Sequence, residues 1–288
     1  VGEQSGKTQD RGEVVPATDC VVECASVAPK GNEKYVALTF DEGPSGATKQ
    51  ILQVLKEKGV TATFFLSGDA AEASPATAKA IVDAGCEVGS NSYRDESLKG
   101  QDRDAVREQI SKGTEAIKSA TGVKTMLLRA PYAAFDEQNW IDAMDLASAV
   151  VSWNIDSGDW LLNGADEQVS TVLDSVTPGN IVLLTDSDEC AEQTLVALPQ
   201  IIDGLIADGY KIVTLSDLVK TDTSLSKKLT SLTKAAMPKK RRVPPSSPKM
   251  TTPQTSYLRT SPMTMSRMRR RLVCLRCLEH KFGATARC

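Results

Sequence analysis

The chain has 288 residues, 41% apolar and 25% charged, which allows a sizeable core and excludes a chain disordered throughout. Its net charge of -3 hides a split: from residue 221 onward sixteen Lys and Arg face two acids, Asp222 and Glu279, so the first 220 residues carry -17 and the rest +14. The acidic part is thereby excluded as a binder of phosphate backbones, no run of 18 apolar residues is present to cross a membrane, and residues 1–30 show no apolar core of a secretory signal.

After a polar leader over 1–33, "YVALTF" opens a series of seven apolar strands, expected at 35–40, 61–66, 86–90, 125–129, 148–153, 180–184 and 211–215, with a helical stretch between each pair. Four times an amphipathic stretch ends in Gly and passes into an apolar run: "LKEKGVTATFFL", "IVDAGCEVGS", "KSATGVKTMLL" and "LIADGYKIVTL". Gly59, Gly85, Gly122 and Gly209 are therefore expected to cap helices in the left-handed conformation. Pro199 is expected to start or kink the last of these helices. Strands alternating with helices imply a parallel sheet, and a run as apolar as "NIVLL" implies burial on both faces, in a barrel or a doubly wound sheet.

In either fold the carboxyl ends of the strands converge on one rim. Reading those ends in order gives Asp41 and Glu42, then Asn91, Tyr93 and Asp95, then Arg129 with Pro131 and Tyr132, then Asp156, Asp159 and Trp160, and last Thr185, Asp186 and Asp188. An acidic rim with one Arg reads as a site rather than as solvated turns. No histidine precedes His280, which excludes a Ser-His or Cys-His nucleophile in the acidic part. Seven cysteines without a disulfide-rich spacing leave the redox compartment open, and buried, inert thiols are expected at Cys86 and Cys190.

The motifs, taken in order, resemble those of the polysaccharide deacetylase family (the NodB homology domain, carbohydrate esterase family 4). "TFDEGP" is similar to the family's TFDDGP, "GSNSYRDESL" to its HTxxH-type motif, "RAPYA" to RxPYG, "DSGDW" to a DxxDW-type motif and "LLT" to LxH, over residues 34–220. The resemblance implies a deformed (β/α) barrel in which a divalent metal, held by an Asp and two His, polarises an acetyl carbonyl on a sugar and binds the attacking water. It implies that Asp41 is the base, Arg129 its orienting partner and Asp159 the acid of the fourth motif, with Tyr132, Trp160 and Leu183 as walls of the sugar groove. The metal positions become Glu42, Asn91 and Asp95, and Thr185 stands where the family's catalytic His does. An Asn oxygen is a weaker ligand than imidazole, and a threonine hydroxyl does not protonate an amine leaving group at neutral pH.

Two functional readings follow. The first is hydrolysis of acetyl groups on an N-acetylated cell-wall glycan, peptidoglycan or chitin-like, through an altered site. There Asp41 is the base, Asp186 or Asp188 a substitute acid, and Mg, Mn, Ca or Zn the ion. The second is a catalytically silent barrel, without a metal, that keeps the groove and binds glycan. The resemblance places either function outside the cell, at its surface. Residues 221–288, rich in Ser, Thr, Pro, Met and Arg, read as a disordered basic tail that meets an anionic surface, nucleic acid or the acidic domain itself.

Overall fold

A computed structural model of the chain describes residues 21–22, 27–143, 145–222 and 225. Most of the expected leader, and nearly all of the basic tail with Cys274, Cys277 and His280, lie outside the described residues. In chain order the elements are β1 (Val21–Val22), β2 (Lys34–Asp41), α1 (Thr48–Lys58), β3 (Thr63–Leu66), α2 (Gly68–Ala73), α3 (Pro75–Asp83) and β4 (Glu87–Ser90). They continue with α4 (Arg103–Thr121), β5 (Leu127–Leu128), α5 (Glu137–Ala143), β6 (Ala149–Val151), β7 (Ile155–Asp156), α6 (Ala165–Ser175), β8 (Asn180–Thr185), α7 (Ala191–Ala207), β9 (Tyr210–Ile212) and α8 (Leu215–Thr221). Short 3-10 turns occupy Pro131–Ala133 and Asp159–Leu161.

All seven expected strands form, and every pairing is parallel, in the order β1-β6-β5-β4-β3-β2-β8-β7 with β9 beside the start of β2. The sheet curls. Only residues 152–154 separate β6 from β7, and at about 3.8 Å per Cα step that chain spans at most about 15 Å, so opposite ends of the sheet path lie close together. Arg129 helps to bridge the gap: its Nε donates to the Val151 carbonyl (3.2 Å) and its Nη2 to that of Ser152 (3.1 Å). The strand expected over 148–153 stops at Val151, where the chain turns its carbonyls toward Arg129. The expected deformed (β/α) barrel is the fold observed.

Residues alternate between two layers, as a pleated strand requires. Val36, Leu38, Phe40, Phe64 and Leu66 pack outward with Ile51, Leu55, Ile201 and Leu205 of the helices, and the Phe40 and Phe64 rings stack at 4.9 Å. Ala37, Phe65, Ala149, Val151 and Ile181 pack inward with Leu215 and Leu218 of α8, which closes the end where the strands begin. Each such side chain, fully buried, contributes roughly 1.5–3 kcal/mol for the larger types. A second outer cluster, with Leu98, Val106, Ile110 and Trp140, seats α4 and α5.

Local signals set the boundaries. Gly59, Gly85, Gly122 and Gly209 all take positive φ, as expected of helix caps. Asp102 caps α4 by accepting from the Ala105 amide (2.9 Å). Thr214 caps α8 by accepting from the Asp217 amide, so the apolar run expected as a strand over 211–215 divides between β9 and that helix. Pro199 stands inside α7 rather than at its start, in a helix held by the burial of Leu198, Ile201, Ile202 and Leu205 on both sides of it.

Candidate functional site

The interior face of β2 runs Ala37, Thr39, Asp41, so its last acid emerges inside the mouth of the barrel, level with Phe65 of β3 and Thr185 of β8. Arg129 follows β5 and is 1% exposed. Its Nη1 donates to Asp41 Oδ1 (2.7 Å) and to Thr39 Oγ1 (2.8 Å), while Thr39 donates onward to the Val182 carbonyl (2.6 Å). The guanidinium lies 4.1 Å from the Phe65 ring centroid and 5.6 Å from that of Trp153. Burial raises Asp41 to about 6 against the pull of Arg129, with Asp159 and Asp95 adding to the rise.

Asp159 is fully buried. Its carboxylate accepts from the Thr185 amide (2.7 Å), the Thr185 hydroxyl (2.8 Å) and the Thr194 hydroxyl of α7 (3.1 Å). Burial still raises its pKa against these three donors. Glu42, at φ 76°, is exposed beside Asp41, and partial desolvation together with Asp95, Asp41, Asp159 and Glu189 raises it to about 7. Asp95 is also on the exposed rim and accepts from the Tyr132 hydroxyl at 2.5 Å. Asn91 is 2% exposed and donates through Nδ2 to the Arg129 carbonyl (3.0 Å).

Asp41, Glu42, Asp95, Arg129, Asp159 and Thr185 thus come together at one mouth. Tyr132 and Trp160 are its exposed aromatics, at 61% and 44%, and Trp160 donates to Asp156. Leu183 lies deeper on the same face of β8, buried beneath Thr185. Asp186 is braced rather than presented: its carboxylate accepts from Ser45 (2.6 Å) and Thr48 (2.7 Å), and a Cβ at Gly43 would overlap it. Asp188 accepts from the Gly46 amide (2.8 Å), so both acids hold the loop after β2. Cys86 and Cys190 are buried free thiols whose pKa values burial raises, as expected of inert ones. Sequence reading missed Thr39 and Thr194, because a threonine in a strand or helix interior carries no local sign of a partner 90 or 35 residues away.

The three metal positions hold two carboxylates and a neutral amide where the family has an Asp and two His, a set without imidazole; Asn91 donates its Nδ2 to the Arg129 carbonyl, and Asp95 accepts from the Tyr132 hydroxyl. Among the described residues no three His, Cys, Asp or Glu side chains form a ligand cluster.

Residues 28–151 match the family model described as polysaccharide deacetylase. A bifunctional xylanase/deacetylase of Pseudobutyrivibrio xylanivorans is 38% identical over 189 residues, covering 65% of this chain and 31% of that protein, so the chain spans less than a third of its length. A peptidoglycan-N-acetylglucosamine deacetylase of Bacillus cereus is 33% identical over 217 residues, covering 75% of this chain and 79% of that protein. Among solved structures, a CE4 family pseudoenzyme from Bacillus anthracis superposes with a TM-score of 0.61 at 32% identity, covering 67% of this chain and 69% of that one. A mutant of that pseudoenzyme with restored enzymatic activity is similar to the same degree, with a TM-score of 0.61.

Proposed function

Since this chain belongs to the polysaccharide deacetylase family, we propose that it is a deacetylase-type barrel that binds an N-acetylglucosamine-containing cell-wall glycan at its mouth without hydrolysing it. The observation that carries this reading is the fate of Thr185, whose amide and hydroxyl both go to Asp159 at the position where a departing amine would need an acid. Threonine supplies no proton at neutral pH, and the neighbouring acids Asp186 and Asp188 are engaged in bracing a loop. At Asn91 and Asp95 an amide and a carboxylate stand in place of the family's two imidazoles, which weakens the hold on the Lewis acid that an amide carbonyl, a poor electrophile, requires. What persists is suited to holding sugar: Tyr132 and Trp160 present apolar ring faces beside a polar mouth.

A second reading, residual deacetylation with Asp41 as base, is favoured by the Asp41–Arg129 pair at 2.7 Å and by a pKa of about 6, which leaves the carboxylate able to take a proton near neutrality. The two readings separate in one experiment. Purified protein is offered N-acetylglucosamine oligomers and insoluble peptidoglycan, with each of Zn, Mn, Mg and Ca and with chelator. Retention on glycan without acetate release is the expected result. Metal-dependent acetate release that Asp41→Asn abolishes would establish the second reading instead. We place the site of action at the cell surface, where such glycans are found; no helix among the described residues is long and apolar enough to cross a membrane.

A further inference from the structure

The side-chain donors described above at the mouth are engaged within the protein. Thr185 gives its hydroxyl to Asp159, Tyr132 gives its own to Asp95, and Trp160 gives Nε1 to Asp156. Asn91 donates to the Arg129 carbonyl, and Arg129 divides its fork among Asp41, Thr39, Val151 and Ser152. Ser67 differs from all of these. It is 4% exposed, and its hydroxyl makes no hydrogen bond.

The backbone aims that hydroxyl. Thr63 and Phe65 of β3 face the barrel interior, the first accepting from the Leu215 amide and the second lying against Arg129. Ser67 keeps an extended backbone (φ -75°, ψ 136°), so the same alternation turns it inward, one pleat nearer the rim than Phe65. Its amide donates to the Gly43 carbonyl (2.9 Å) and the Gly68 amide to that of Ser92 (3.0 Å), which sets it between the loops bearing Glu42 and Asn91.

A serine just before a helix ordinarily accepts from the second or third amide of the first turn. Before α2 those amides have other acceptors. Gly68 and Asp69 donate to the Ser92 and Tyr93 carbonyls, Ala70 to Asp69 Oδ1, and Ala71 to the Ser67 carbonyl. The hydroxyl is therefore left over by the helix it precedes, and a buried hydroxyl without a partner destabilises the free protein. Local rules are broken in this way where a ligand completes the site.

The chemistry of a sugar says which of its groups needs that donor. Ring hydroxyls carry protons of their own and give them to carboxylates, in which this mouth is rich. An acetyl carbonyl carries none and has to find a donor that is free. Building on the non-hydrolytic reading, we infer that Ser67 selects N-acetylated sugar, its hydroxyl donating to the acetyl carbonyl oxygen of the unit held at the mouth.

The test is calorimetric titration of the full chain, parent and Ser67→Ala, with an N-acetylglucosamine tetramer and a glucose tetramer of the same linkage. Urea unfolding of both proteins without sugar runs beside it. The parent should bind the acetylated tetramer about five- to tenfold tighter than the glucose one, the scale of one hydrogen bond. Ser67→Ala should bring the two tetramers within about twofold of each other by weakening the acetylated one alone. Its urea midpoint should equal or exceed the parent's, since the substitution strands no partner. A parent without the preference, a variant that keeps it, or a variant that weakens both tetramers alike overturns the inference. So does a lower midpoint, which would give the hydroxyl a structural partner. In each of these cases the parent still holds glycan and the non-hydrolytic reading stands, whereas binding of neither tetramer by the parent overturns both.

Discussion

Thr185 gives both its amide and its side-chain hydroxyl to one buried carboxylate, that of Asp159, at 2.7 and 2.8 Å. With Thr194 supplying a third donor, Asp159 ties the end of β8 to α7 and to the turn after β7. Asp159, at the position that resembles the acid of the family's fourth motif, braces these three segments. Thr185→Val keeps the shape and removes the hydroxyl, leaving a buried carboxylate with one donor fewer. A loss of about 1.5–3 kcal/mol is expected, read as a lower urea midpoint at unchanged slope.

Arg129 is the second brace, and a larger one. It reaches Asp41, Thr39, Val151 and Ser152 from a site 1% exposed, so it joins β5, β2 and the chain leaving β6 across the barrel's gap. Arg129→Met would strip Asp41 of its counter-charge and three acceptors of their donor, at a cost of about 3–5 kcal/mol. For a domain of this size that lowers Tm by roughly 6–20 °C. Arg129→Lys should fall between, because an ammonium keeps the charge but not the planar fork.

The barrel and the convergence of acids on one rim were legible in the sequence because both follow from repeated local patterns: apolar strands, glycine caps, and polar residues where strands end. The two-residue strands β1 and β7 were not, since Val21–Val22 and Ile155–Asp156 are too short to show a period and owe their place to pairing with β6 and β8. Nor was the fate of Asp186. As an acid after a strand it reads as presented to a site, and only the approach of Ser45 and Thr48 from another loop turns it into a fastener.

Stability should run against the usual acid trend in part of the range. Asp41 is raised, chiefly by burial, from its ordinary 3.8 to about 6, and burial raises Asp159 and Asp186 as well. An acid with a higher pKa when folded binds protons more tightly in that state. Its stabilising contribution is therefore full below the unfolded value and is lost as pH rises through the folded one. Between pH 4 and 6 the Asp41 contribution should fall by about 2 kcal/mol, so denaturant midpoints should decline across that window, and Asp41→Asn should flatten the slope. A midpoint that climbs steadily from pH 4 to 7 in the parent protein and the variant alike would refute this.

Backbone conformation at the mouth carries a cost that the side chains do not relieve. Tyr132 and Ala133 sit at φ 60° and 52°, in the left-handed region that L-residues enter at a cost of about 1–2 kcal/mol. Ala133 is exposed and stands where the family's RxPYG motif has Gly. Ala133→Gly relieves the strain at some loss of unfolded-state constraint, for a net gain of about 0.5–1 kcal/mol. Ala133→Val should cost more than Ala itself. Parallel urea titrations of the three proteins test the ordering, and a Gly variant less stable than the parent would show that the turn is not strained.

Restoration of chemistry should need every altered position at once. Thr185→His alone places an imidazole next to Asp159, yet the metal positions still lack the family's two imidazoles, so no acetate release is expected from it. Glu42→Asp, Asn91→His and Asp95→His without Thr185→His should bind a divalent ion, read by metal content after dialysis, and still lack the acid for the leaving amine. Only the fourfold variant should release acetate from an N-acetylglucosamine oligomer. Asn91→His is its hardest step, because that site is 2% exposed and the substitution gives up the hydrogen bond to the Arg129 carbonyl. The fourfold variant should therefore be less stable than the parent without the ion and recover as metal is added, by an amount that grows with the logarithm of free metal. Acetate release from Thr185→His by itself would mean that the parent's mouth already holds a working electrophile, and the non-hydrolytic reading would fall with it.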